Sequence, residues 1–215
     1  MGTEKVVLMA TIPLAAPSRH RISVDAFHRM AEAGILAADE RVELIDGELF
    51  DMSPIGALHA AIVDSLVRHF ARRVHESLFI RCQNPLRLDS ISEPEPDIAF
   101  VRARRDAYTT GHPRPADVLL VIEVADTSLG YDLGTKVPLY GRHGVPEVWV
   151  IDTATRRTHR FRQPVGDRGA SEASGSGYLI EETVLPNEPL TTECLVNDAG
   201  ERVCVELDQL APPVG

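Results

Sequence analysis

The sequence predicts an α/β protein: a mixed central sheet flanked by helices, preceded by a helix and a hairpin and followed by edge strands. Three patterns carry that expectation. Residues 117–124 form an apolar run interrupted by Glu123, as in a strand covered on both faces. Leu58, Ile62, Leu66, Phe70 and Val74 recur every fourth residue, with Val63 and Val67 widening the stripe, which reads as a long amphipathic helix on a sheet. A helical stretch from about Asp132 to His143, closed by Gly144, then links the Glu123 strand to the apolar run at 147–152. Strand, crossover helix and strand in that order imply a parallel pair.

The remaining elements follow from local chemistry. Ser23 is suited to cap a short helix over 24–33, and Gly34 to end it in the left-handed conformation. Two extended runs, 42–45 and 48–52, flank Asp46-Gly47, a strong hairpin signal. Pro54 and Gly56 close this unit before the long helix. Residues 79–83 and 86–88 read as short strands around Asn84-Pro85, and 97–101 as the next strand. Beyond 152, an outer strand is expected over 156–163, a flexible loop over 166–177, and edge strands at 178–180 and 203–207. The expected organisation is a leader over 1–22, a main domain over 23–165, the loop, and C-terminal strands over 178–215 packed on the same domain.

Composition bounds the function. With 22 Lys and Arg against 32 Asp and Glu the net charge is −10, which argues against a broadly basic nucleic-acid-binding surface. Any nucleic-acid contact must be local or metal-mediated. Cys82, Cys194 and Cys204 are too few and too scattered for a disulfide framework or a zinc cage, so a reducing cytoplasm is the expected compartment, with Cys82 a core thiol. The apolar run at 6–14 carries Glu4 and Lys5 at its start and is broken by Pro13, unlike a signal core, and no stretch reaches the length of a membrane span. Phosphate-loop, zinc-helix and nucleophile-elbow motifs are absent, and Ser176 lies in a glycine-rich loop ill suited to hold a nucleophile.

Glu123 is the residue that points to chemistry. A lone charge inside an apolar strand costs several kcal/mol unless it is paired or metal-bound. Two partners are within reach: Asp97, which opens the neighbouring apolar run after Pro96, and Lys136 in the following segment. Two acids and a lysine make a site for a hard divalent cation and an activated water.

Glu43 to Glu48 (Glu-Leu-Ile-Asp-Gly-Glu), His59 opening the long helix, Glu95-Pro96-Asp97, Val121-Ile122-Glu123-Val124, Asp132 with Lys136 and Leu139-Tyr140, and the run 144–152 come in an order that resembles the Uma-type restriction endonuclease family of bacteria, within the PD-(D/E)xK nuclease superfamily. The resemblance spans about 23–152. It implies a restriction endonuclease-like core in which Asp97, Glu123 and the main-chain carbonyl of Val124 hold Mg2+ or Mn2+. It also implies that Lys136 orients or deprotonates the attacking water and that Glu43 and His59 complete the site. The superfamily's usual lysine, two residues after the second acid, is replaced here by Ala125, so Lys136 would be a migrated equivalent. DNA is the implied substrate, and a homodimer the implied assembly for cutting two strands. Arg102, Arg104 and Arg105 are candidates to grip flanking phosphates.

Each residue also has a structural reading. Glu123 with Lys136 could be a buried ion pair without metal, Asp97 a strand-opening residue, His59 a helix-lining residue, Glu43 an exposed hairpin residue, and the arginines a solvated loop. On those readings the chain is a catalytically inactive module that binds nucleic acid or a partner protein.

Overall fold

The computed structural model describes residues 18–37, 39–166 and 175–205. Helix α1 (Val24–Glu32) starts where Ser23 Oγ accepts the Ala26 amide at 3.2 Å, and Gly34, at φ +70°, ends the segment as expected. Strands β1 (Val42–Ile45) and β2 (Glu48–Asp51) pair antiparallel across Asp46 and Gly47, both at positive φ, the geometry of a two-residue hairpin turn. A side chain at Gly47 would also strike Arg21, since a Cβ there would lie 2.5 Å from Arg21 Cβ. Helix α2 (Ala57–Ala71) follows and stops before Val74, the last member of its apolar stripe.

Six strands make the central sheet: β3 (Leu78–Cys82), β4 (Ile98–Arg102), β5 (Val118–Ala125), β6 (Glu147–Asp152), β7 (Thr158–Pro164) and β8 (Tyr178–Val184), side by side in that order. Only β5 and β6 run parallel, so the sheet is mixed. The connection between them is the expected helical stretch, split into α3 (Leu129–Tyr131), a widened π turn (Asp132–Lys136) and α4 (Val137–Arg142). Pro138 supplies a physical reason for the wide turn. It has no N–H for the carbonyl four residues back and its ring crowds that carbonyl, so the preceding turn opens.

Strand alternation divides the core in two. Val121 and Ala125 pack with Val137, Leu139 and Tyr140 on one face, whereas Ile122, Val124 and Trp149 pack with Ile62, Leu66 and Phe70 of α2 on the other. Glu123 therefore shares its face with the helix that carries Lys136. In β4 and β5, Ile98 pairs with Ile122, and one further step of that register sets Asp97 opposite Glu123.

Three expectations need correction. Residues 86–88 are not a strand: the amides of Leu86, Arg87 and Leu88 go to the carbonyls of Pro94, Pro113 and Ser92, and the prolines at 85, 94 and 96 cannot donate to a ladder. The segment at 203–207 does not extend the main sheet. Strand β10 (Arg202–Val205) pairs instead with β9 (Leu190–Val196) as a separate hairpin, whose Leu195 and Val203 cover the α2 face, while 206 and 207 lie outside the described residues. Strand β9 itself escapes prediction because a bulge in the pairing breaks the alternation of its buried members Leu190, Thr192 and Leu195. Cys82, expected in the core, is half-buried, and burial raises its thiol pKa.

Of the leader over 1–22, residues 18–22 are described, and the Ile22 amide donates to Gly47 O at 2.9 Å. The loop over 166–177 is described only at its ends, where Gly177 lies so close to Gly141 of α4 that a Cβ on Gly141 would come within 2.8 Å of the Gly177 carbonyl oxygen.

Candidate active site

The segment entering β4 and the carboxyl end of β5 meet beneath α3 and the π turn, and there a cleft of about 330 Å³ opens. Its walls hold the carboxylates of Glu43, Asp51, Glu95, Asp97, Glu123, Asp126 and Asp132 against the cations Arg41 and Lys136, with His59 between. All five residues singled out as catalytic line it, as does Val124.

Asp97 and Glu123 interlock through the backbone. The Asp97 amide donates to Glu123 Oε2 at 3.2 Å, and the Val124 amide donates to Asp97 Oδ2 at 2.8 Å. These bonds hold the two acidic side chains side by side where β4 begins and β5 ends. His59, reaching over from α2, sets Nε2 3.0 Å from Asp97 Oδ1. Lys136 Nζ lies 3.2 Å from Glu43 Oε2 and 3.4 Å from Glu123 Oε1, so the lysine bridges β1 and β5. Glu43 is further held by Tyr131, whose hydroxyl donates to Oε1 at 3.0 Å, and by the Glu95 amide at 3.2 Å. Glu43 is only 2% exposed, so it is no solvated hairpin residue.

The electrostatics are those of an acid cluster short of positive charge. Burial pushes the Glu123 carboxyl up to about 8, with the charges of Asp97 and Asp132 adding to the rise, while Lys136 and the Tyr140 hydroxyl at 2.7 Å oppose it. Burial likewise raises Asp132, although Ser128 Oγ donates to its Oδ2 at 2.6 Å. Asp97 is also penalised by burial, but His59, the Val124 amide and Lys136 outweigh that and hold it below the ordinary carboxylate range. The hydrogen bond to Asp97 in turn raises His59, against its own burial. For Lys136, burial disfavours the ammonium, yet Glu123, Glu43, Asp132 and Asp97 together keep it charged above its usual range. The charge of Lys136 is shared among four acids, so it only partly offsets the burial of Glu123.

Ala125 is fully buried on the α4 face of the sheet, and it is the π turn that brings Lys136 to Glu123. Lys136 and Tyr140 are one helical turn apart and both bond Glu123, a spacing legible in the sequence although Tyr140 carries no role there. Nothing in the residue pattern assigns a role to Tyr131, Glu95 or Arg41 either. Arg41 lines the cleft and makes no ion pair among the described residues. The arginines after β4 stand elsewhere: Arg102 ends the strand at the far end from Asp97, and Arg104 pairs with Asp106 at 2.8 Å and stacks over Tyr108. None of Arg102, Arg104 and Arg105 lines the cleft, so they are not placed to grip a phosphate there.

The donor set fits a hard divalent cation, because clustered buried carboxylates that the protein's own cations do not neutralise are the oxygen ligands such ions take. Among the described residues no helix is long and apolar enough to cross a membrane. No curated protein matches the chain. A solved structure from Anabaena variabilis ATCC 29413, described as a "putative nuclease belonging to DUF820", superposes with a TM-score of 0.56 at 15% identity, covering 79% of this chain and 88% of that one. It shares the fold. The family model Uma2, described as "Putative restriction endonuclease", matches residues 24–193, which takes in both strands of the acid pair, the lysine and the whole central sheet. The chain belongs to the Uma2 family.

Proposed function

We propose that the cleft is the active site of a Mg2+-dependent endonuclease that hydrolyses phosphodiester bonds in DNA, with Mn2+ able to replace Mg2+. The observation that carries this reading is the interlocked pair Asp97 and Glu123 with Lys136 bridging Glu123 and Glu43 in one open cleft. Asp97, Glu123 and the Val124 carbonyl would hold the ion, and Glu43 would contribute directly or through water. Bound there, the ion supplies neutralisation of the acids and polarisation of a phosphoryl oxygen.

The chain's own groups do the rest. Lys136 stays protonated among its four acids, so it serves as a hydrogen-bond donor that orients the attacking water and stabilises charge on phosphorus rather than as the base. Lys136 Nζ has three N–H donors and two carboxylate neighbours, Glu43 at 3.2 Å and Glu123 at 3.4 Å, so it has capacity for a water or phosphate oxygen as well. Tyr131 and the Glu95 amide fix Glu43, and Tyr140 fixes Glu123, so the carboxylates are aimed before substrate arrives. His59 holds Asp97 and faces the cleft, where as an imidazolium it can meet a phosphate oxygen. Arg41 is the cation best placed to meet a flanking phosphate.

The test is calorimetric titration of the full chain with Mg2+ or Mn2+, run beside cleavage of plasmid, single-stranded DNA, RNA and nucleotides. The proposal expects ion uptake that Asp97→Ala abolishes and nicking or linearisation of DNA. A folded chain that takes up no ion in the cleft is a binding module, and cleavage confined to nucleotides replaces the substrate.

A further inference from the structure

Outside the cleft, three side chains from separate parts of the chain meet in a second cluster. His28 of α1, Glu93 of the segment leading to Asp97, and His112 of the loop between β4 and β5 bring one potential ligand atom each within 4.8 Å of one another. None of the three lines the cleft. His28 Nε2 is 2.5 Å from Glu93 Oε1, and the two imidazoles stand edge to face with centroids 6.1 Å apart. Glu93 is 2% exposed and its second oxygen, Oε2, has no hydrogen-bond partner among the described residues. A buried carboxylate oxygen without a partner is costly, so a group that would satisfy it there is favoured.

We propose that His28, Glu93 and His112 form a second metal site, for a borderline divalent ion of the zinc class. Two imidazole nitrogens and one carboxylate oxygen are a ligand set that Zn2+ binds tetrahedrally, with a water in the fourth position. Donors on such an ion stand about 3.3 Å apart, a spacing between the 2.5 Å of the His28–Glu93 pair and the 4.8 Å that bounds the cluster, and the side chain of His28, 40% exposed, has room to turn toward it. Mg2+ is excluded by preference for oxygen, which separates this site chemically from the cleft.

The site's position gives it a job. Glu93 lies two residues before Glu95 and four before Asp97, and its amide already bonds Leu44 O of β1 at 2.7 Å. An ion there ties α1 and the 103–114 loop to the segment that delivers Asp97 to the cleft, and so acts as a structural clamp beside the acid pair.

The experiment uses the full chain stripped of metal and held in excess Mg2+. Zn2+ is titrated by calorimetry, Co2+ by its visible absorption, and thermal unfolding is followed with and without Zn2+. One equivalent of Zn2+ is expected to bind and to raise the unfolding midpoint, to persist in Asp97→Asn, and to weaken by roughly 100-fold or more in His28→Ala and His112→Ala. His28→Gln, at a half-exposed position, keeps the fold and still removes the ligand, so it carries the test if a larger change unfolds the chain. Zinc uptake unchanged by the histidine variants, or lost with Asp97→Asn, overturns the proposal.

Discussion

Glu123 and Glu147 sit on the two parallel strands at the sheet's centre, both buried, and they behave as opposites. Glu147 on β6 is wholly enclosed and matched. Its Oε1 accepts from Trp149 Nε1 at 2.7 Å and Arg160 Nε at 2.8 Å, and its Oε2 from Thr192 Oγ1 at 3.0 Å. A guanidinium, an indole and a hydroxyl answer one carboxylate. Glu123 on β5 has one tyrosine hydroxyl, one backbone amide, and a lysine it must share with Glu43, while Asp97 stands across from it. One side of Glu123 is open to a cleft. A buried acid is therefore no site by itself. What marks Glu123 is compensation left incomplete at an accessible place, which is where an ion or substrate can add what the fold withholds.

Isosteric amides at the two positions are the strongest way to break this contrast. Glu123→Gln should lower DNA cleavage by about 10³-fold, in line with losing a carboxylate proposed to hold the ion that stabilises developing charge, while the chain unfolds no more easily at neutral pH. Glu147→Gln should do the reverse, costing up to about 3–5 kcal/mol by leaving the buried Arg160 with only the more exposed Glu182, 3.5 Å away, as counter-charge, with cleavage retained by the folded fraction. Chemical denaturation beside a plasmid assay reads both, and equal stability losses at the two sites would erase the distinction.

The pH dependence sharpens it. Because the folded-state value of Glu123 lies near 8, above its usual 4.5, the metal-free native chain holds a proton that the unfolded chain has lost between those limits. Its contribution to stability is thus fully present below about 4.5 and falls as pH rises toward 8. On the proposed function Mg2+ would displace that proton, so its affinity should climb over the same window and level off above it. Denaturant midpoints of Glu123→Gln against the parent, measured from pH 5 to pH 9, should show the slope vanish in the variant.

A smaller effect is expected from Tyr140→Phe, which deletes the hydroxyl on Glu123 Oε1 and leaves the ring. Loss of one hydrogen bond to an acid predicts roughly tenfold slower cleavage and a further rise of the Glu123 pKa, visible as a shifted pH–rate profile. The smallest effect belongs to Arg104→Ala, away from the cleft, which should leave cleavage at wild-type rate. A large loss there would return the arginine cluster to the substrate path.

Much of this arrangement is legible in the amino-acid order. Glu123 betrays itself as a charge in an apolar run, and Asp97 and Lys136 lie at intervals that a neighbouring strand and a crossover helix can bridge. Glu147, however, opens an apolar run much as Asp97 does, and nothing local tells the two apart. Their difference is made by Arg160 and Thr192, which arrive from β7 and β9. The same limit hides Tyr131 and Arg41, which join the cleft only when α3 and β1 are set beside β5.

Taken alone, the sequence determined the elements that local chemistry enforces: the Ser23 cap, the Asp46-Gly47 turn, the α2 stripe, and a central strand with one misplaced charge. Those depend on residues within a few positions of each other, so periodicity and propensity suffice. Only the tertiary structure decided which acid is satisfied and which is left wanting, because that balance is struck among groups far apart in sequence, through the β4–β5 register, the widened turn that presents Lys136, and the low polarity around them all.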